Sequence, residues 1–287
     1  FFEIKPKYLR ISRSMRRSRQ MVSKSHLVII GVIAFMFSTQ SFGQGFGFPN
    51  SSRNIPIEIQ ADNGIEWHKK TKTYIAHGNA HAKQGDVSIY ADQLTAFFRQ
   101  NKAGFNEIWR INAEGRVKIV SPGKRAYGTK GVYDIDKGIF VLTGKPQLIT
   151  KTEHLSAQRS LEFWEKKSLA VARGNAVATK GNQKIKADIL TAYFKKVADG
   201  KTELSKVEAF KNVLVSTPEE IIRATRGLYN IQTGIVVLKG SVKITRGKDQ
   251  LNGDLAEVNL KTGISRLLSS NSRKVRGIFT PKKSIEK

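Results

Sequence analysis

The chain has no cysteine, which rules out a disulfide scaffold and thiolate metal sites but leaves the compartment open, since large exported β proteins often need no bridges. Its one conspicuous apolar run, LVIIGVIAFMF from Leu27 to Phe37, is eleven residues long, short of the roughly 20 that a membrane-spanning helix takes. Acidic residues are scarce, 23 Asp and Glu against 50 Lys and Arg. There is no G-x-S-x-G nucleophile elbow and no glycine-rich phosphate loop ahead of a helix. Beyond Gln44 no stretch has the period of an amphipathic helix. What is present is a chain of 287 residues, 39% of them apolar, enough to build one large β domain or two smaller ones.

The N-terminus speaks to compartment. Arg13, Arg16, Arg17, Arg19 and Lys24 precede the apolar run, and STQSFGQG follows it, with Ser41-Phe42-Gly43 in the small-x-small form of a signal-peptidase site. This predicts export, with a signal peptide and upstream residues over 1–43, Met15 or Met21 as initiator, and fold reasoning from Gln44 onward. Residues 1–43 hold eight Lys or Arg and one Glu, so 42 basic and 22 acidic residues remain, a net charge of +20. Charge of this sign attracts phosphate-bearing partners, and for an exported protein lipid phosphate is favoured over nucleic acid. The plainer reading is that Lys and Arg cover the solvent face of a β structure and blunt its edges.

The dominant feature is internal repetition. AHGNAHAKQGDVSIYADQLTAFF, 76–98, returns 96 residues later as ARGNAVATKGNQKIKADILTAYF, 172–194. The same shift pairs YDIDKGIFVLTG (133–144) with YNIQTGIVVLKG (229–240), and IEWHKKTKTYIAHG (65–78) with LEFWEKKSLAVARG (161–174). Six units align on Gly78, Gly115, Gly144, Gly174, Lys211 and Gly240, at intervals of 37, 29, 30, 37 and 29. This is a tandem duplication of a three-unit block.

Side-chain parity within the units has period two, the signature of strands. Two residues before the anchor stand Ala76, Ala113, Leu142, Ala172, Ala209 and Leu238; four after it, Ala82, Ile119, Leu148, Ala178, Val215 and Ile244. Thirteen after it the residue is always Ala or Gly: Ala91, Gly128, Ala157, Ala187, Ala224 and Gly253. A position that accepts only small side chains six times over marks a sharp bend or a close strand approach, as at the corner of a curled sheet. The next residue, Asp92, Thr129, Gln158, Asp188, Thr225 or Asp254, is polar and reads as a turn or solvent contact. The expected fold is all-β and antiparallel, each unit giving two strands, the units stacking solenoid-like along an axis and leaving two open ends.

No active site emerges. The recurring Asp92, Asp188 and Asp254 are replaced by Thr or Gln in alternate units, which suits a turn better than catalysis. His77 and His81 lack a carboxylate at metal-ligand spacing. Trp67, Phe163, Tyr133 and Tyr229 fall in the repeat pattern and read as packing residues, not as a nucleic-acid stacking platform. No catalytic residue, metal or cofactor is expected.

The segment IPIEIQADNGIEW at 55–67, the G-N-A anchors, and strands ending in I-x-A-D-x-L resemble the OstA-like (LptA) family, most clearly over Gly78 to Phe98 and Gly174 to Phe194. The resemblance covers 55–268, with a basic tail over 269–287. It implies a curled, partly open antiparallel β-jellyroll that stacks end to end in the periplasm and carries lipopolysaccharide between the inner and outer membranes. It also implies partners: the lipid A part of lipopolysaccharide, further copies of the chain, and inner-membrane LptC-like and outer-membrane LptD-like proteins. Candidate groove residues on the inward parity are Ile89, Leu94, Phe98, Val117, Ile119, Tyr133, Leu142, Leu148, Ile185, Leu190, Phe194, Val213, Val215, Tyr229, Leu238 and Ile244. The competing reading is a structural or adhesive β-solenoid whose core is filled and binds no lipid. The edges expected to pair with other chains are Ile55 to Gln60 and Gly253 to Leu260, unless the Lys-rich tail RKVRGIFTPKKSIEK covers the latter.

Overall fold

The computed structural model describes residues 56–102, 104, 106–197, 202–269 and 274–280; the expected signal peptide lies outside them. Eighteen strands follow one another: β1 Glu58–Gln60, β2 Ile65–His68, β3 Thr73–Gln84, β4 Val87–Gln100, β5 Asn106–Ser121, β6 Lys124–Asp134, β7 Ile139–Thr143, β8 Gln147–Thr150, β9 Glu153–Ser156, β10 Ser160–Trp164, β11 Leu169–Lys180, β12 Gln183–Lys196, β13 Thr202–Ser216, β14 Ile221–Asn230, β15 Ile235–Arg246, β16 Asp249–Asn259, β17 Ser265–Leu268 and β18 Arg276–Ile278. Their ladders are antiparallel throughout and run between chain neighbours, from β3 on β4 to β15 on β16. The short pairs β7 with β8 and β9 with β10 each act as one long strand interrupted in the middle. Strand bounds keep the repeat interval: β11 and β12 begin and end 96 residues after β3 and β4.

The anchors are the corners of this meander. Gly78 and Asn79 both have positive φ, 75° and 43°, and so do Gly115 with Arg116, Gly144 with Lys145, Gly174 with Asn175, Lys211 with Asn212 and Gly240 with Ser241. Two successive left-handed residues turn the strand sharply, and glycine is favoured at the first because it has no Cβ to strain. The ladder slips at the same places, between His77 and Ala80 and between Arg173 and Ala176. Opposite each corner lies the small row, Ala80 facing Ala91, Val117 facing Gly128 and Val213 facing Ala224. A Cβ added at Gly128 would meet the Leu142 side chain at 2.8 Å and the Thr143 carbonyl at 2.7 Å, so at this position of the row not even Ala fits.

The polar row reaches from each corner to the next. Arg116 donates to Asp92 at 2.6 Å, Asn175 to Gln158 at 2.9 Å and Asn212 to Asp188 at 3.0 Å. Thr225 instead donates its hydroxyl to the Gly240 carbonyl at 3.2 Å. These contacts tie successive corners into one ridge, so the half-strands on either side close over a shared interior. The rows two residues before and two after the anchors are buried in all six units, among them Ala76, Leu142, Val117 and Val242. Each such Val or Leu contributes about 1.5–3 kcal/mol by leaving water.

At the ends the expectation needs one correction. At the start the outermost strands are β1, within the expected Ile55 to Gln60, and β2 beyond it, both on β3, but Gly253 to Leu260 is not an open edge. Leu255 to Val258 pair with β17, and Gln250 to Asn252 pair with β18, which comes from the basic tail. It is β17, ahead of the tail, that covers this edge, while β18 from the tail covers the half of β16 before it, and β17 and β18 are themselves the outermost strands. Exposed apolar side chains gather at both ends, Ile65 and Trp67 on β2 and Leu268, Val275, Ile278 and Phe279 near the last strands.

Candidate functional site

An apolar cavity of about 180 Å³ lies where the two 96-residue copies meet, between β6 and β13. Both halves of the folded strands line it: Leu142 and Leu148 flank the Gly144 corner, Ala172 and Ala178 the Gly174 corner, and Ile185 and Leu190 the small residue Ala187. Phe163, Ala170, Phe194 and Leu204 gather at one end. A cavity needs about 10–15 Å³ for each water-sized group. At that scale it accommodates on the order of a dozen methylene-sized groups.

The other end is charged. Lys124, Glu153 and Lys180 stand on the inward parity of β6, β9 and β11, and the Lys180 ammonium lies 3.4 Å from the Glu153 carboxylate. Burial pulls the Lys124 ammonium below its ordinary range, with Glu153 opposing the shift. Burial pushes the Glu153 carboxyl up, with Lys180 and Lys124 opposing it. Two lysines against one glutamate leave this mouth net positive when all three are ionised. An apolar tunnel with a cationic mouth suits an amphiphile whose tail enters and whose anionic group stays outside.

Of the sixteen candidate groove residues, all turn inward, but only five line this cavity: Leu142, Leu148, Ile185, Leu190 and Phe194. Leu94 lines a smaller cavity of about 20 Å³ near β1. The other ten, Ile89, Phe98, Val117, Ile119, Tyr133, Val213, Val215, Tyr229, Leu238 and Ile244, are buried and line neither of these two cavities, Ile119 with no exposed surface. Sequence reasoning missed Phe163, Ala170, Leu204 and the charged trio. The trio carried a signal, since Lys124, Glu153 and Lys180 occupy positions whose parity is otherwise apolar or small. Trp67 was expected to pack and does stack on Tyr74, yet it is 55% exposed. His77 sits beside Glu66 and His81 stacks on Tyr90, and among the described residues no group of three His, Cys, Asp or Glu comes together to hold a metal.

The family described as LptA/(LptD N-terminal domain) LPS transport protein matches this chain twice, over residues 58–160 and 154–264, together more than half its length. The chain belongs to that family. The two matched ranges begin 96 residues apart, so each copy of the duplication carries the family pattern and the cavity lies at their seam. Among curated proteins, an uncharacterized protein of Rhizobium meliloti (strain 1021) is 25% identical over 131 residues, which are 44% of this chain and 68% of that one. Among solved structures, LptH, the LptA homologous periplasmic component of the lipopolysaccharide transport device of Pseudomonas aeruginosa, is 18% identical with a TM-score of 0.38, covering 45% of this chain and 95% of its own.

Proposed function

We propose that this chain binds lipopolysaccharide by an acyl chain in the junction cavity and serves, without catalysis, as a periplasmic bridge segment between the inner and outer membranes. The observation that carries the reading is a largely apolar cavity with Lys124, Glu153 and Lys180 in its lining, in a chain of a lipopolysaccharide-transport family. The energetics support it. An acyl chain loses about 0.8 kcal/mol per methylene in water, roughly 10 kcal/mol for a dozen carbons, and lining residues such as Leu142 and Leu190 replace that water with hydrocarbon. The exposed apolar end strands β2, β17 and β18 suit pairing with further copies and with LptC-like and LptD-like partners by strand addition.

Photo-crosslinking tests this directly. A benzophenone amino acid at Leu148 or Ile185 should form adducts with lipopolysaccharide, and one at the outward-facing Lys118 or Lys186 should not. The structural reading is favoured over most of the interior by the ten buried positions around Ile119. Silence at Leu148 and Ile185, in protein shown to be folded, would extend that dry core to the whole molecule and remove the transport reading.

A further inference from the structure

The small cavity near β1 is the large one met 96 residues earlier. Ile59, Ala76 and Leu94 line the first; Leu155, Ala172 and Leu190, each 96 residues on, line the second. The frames correspond in detail: Trp67 faces Tyr74 across β2 and β3 as Phe163 faces Ala170 across β10 and β11. The large cavity is also walled by β6, β7 and β8, whose counterparts 96 residues earlier lie outside the described residues; within the walls that both share, what differs is the filling. In the first copy the Tyr74 ring lies 6.0 Å from Trp67 and 4.8 Å from Phe98, an unbroken aromatic row. In the second, Phe163 and Phe194 remain, but Ala170 stands where the middle ring would be. The space falls from about 180 Å³ to about 20 Å³, room for only one or two water-sized groups at about 10–15 Å³ each.

We propose that the chain holds two versions of one acyl-chain site, the second open and the first shut by the ring of Tyr74, so that each molecule takes up a single acyl chain, at the junction. This rests on the reading of the chain as an acyl-lipid carrier. Tyr74 and Ala170 are then the residues that set how many chains are held and where, and a single substitution converts either site into the other.

The test is a binding titration of the full chain with a fluorescent fatty acid, dansylaminoundecanoic acid. The wild type should bind one probe per molecule, Tyr74→Phe one, Tyr74→Ala two, and Ala170→Tyr none. Two probes on the wild type, one on folded Tyr74→Ala, or an unchanged titration with Ala170→Tyr would each overturn the proposal. Because the chain has no cysteine, a second measurement leaves the ring in place. Dodecyl methanethiosulfonate should label Ala192→Cys in the open site well before Ala96→Cys in the closed one, and equal rates would also overturn the proposal. Probe stoichiometry that follows Tyr74 and Ala170 without any lipopolysaccharide adduct at Leu148 or Ile185 would remove the transport reading and leave the two sites standing. Adducts with a stoichiometry indifferent to both residues would do the reverse.

Discussion

Gly144→Ala is the sharpest test of how the corners hold the cavity open. Gly144 turns the chain between β7 and β8, whose Leu142 and Leu148 line the cavity, and its φ is 81°. An L-residue in this left-handed region costs about 1–2 kcal/mol, of which about 0.4–1 kcal/mol is returned because Ala restricts the unfolded chain. A steric cost is added. The new Cβ would lie 2.7 Å from the Thr129 Cβ and 2.9 Å from its Cγ2, with Oγ1 closer still. The Thr129 Cβ is itself in the way and no rotamer moves it, and overpacking of this kind costs about 1–3 kcal/mol. The sum is roughly 1–4.5 kcal/mol with a centre near 3, or about 6–12 °C in Tm for that centre at 2–4 °C per kcal/mol for a domain of this size. Gly181→Ala is the control: its φ is 54°, but nothing lies within 4 Å of an added Cβ, so only the backbone part, about 1 kcal/mol or less, applies. Urea unfolding of the two variants, and of Gly144→Ala combined with Thr129→Gly, measures both contributions. If Gly144→Ala cost no more than Gly181→Ala, or if Thr129→Gly recovered nothing, the account of the corner would be wrong.

Two further outcomes follow from the same geometry. Lys211 is the one anchor that is not glycine and sits at φ 60°, so Lys211→Gly should raise stability by about 0.5–1 kcal/mol once left-handed strain is set against the greater freedom of glycine in the unfolded chain; a loss of stability in urea unfolding would count against strain there. Burial raises Glu153 above its ordinary value of 4.5, with Lys180 and Lys124 only partly opposing it, so the stability it confers is complete below that pH and is lost as pH rises through the folded-state pKa. Wild-type Tm should therefore fall relative to Glu153→Gln between about pH 4 and neutrality, and a difference that stays flat or grows in the wild type's favour would show that the carboxylate is not penalised at the cavity mouth.

Much of the frame was legible because it is written six times. One small residue beside a strand is ambiguous, but Ala91, Gly128, Ala157, Ala187, Ala224 and Gly253 at one repeat position leave little besides a crowded corner, and each faces the residue two beyond an anchor. Parity likewise put all sixteen candidate residues on the inner face. Parity could not separate lining from filling, because a side chain turned inward is the same signal whether its neighbour is a ring or a void. The difference lay in the comparison of IEWHKKTKTYIAHG with LEFWEKKSLAVARG, where Tyr74 stands opposite Ala170. That contrast is visible only when the two copies are read for how they differ. What covers the last edge was harder to read: SRLL and RGI are too short to stand out as strands, and they pair with Leu255 to Val258 and with Gln250 to Asn252 through their backbones.

A duplicated frame makes a site inexpensive to evolve, since the strands that flank the small cavity, β1 to β5, recur as β9 to β13 around the large one and their side chains can change independently. The mouth follows this rule as the interior does. Lys124, at the cationic end of the cavity, corresponds to Glu220 in the second copy, and Thr150 corresponds to Arg246; there Glu220 is 3% exposed and forms an ion pair with Arg246. One position therefore carries opposite charge in the two copies, engaged in an internal ion pair in one and set at an open apolar tunnel in the other. The same holds for Ile57 in the first copy, whose counterpart at the tunnel is Glu153. The junction is the place where the missing ring and the lysine pair coincide. A tail-binding space and an anion-attracting mouth came together there without any change to the strand order that surrounds them.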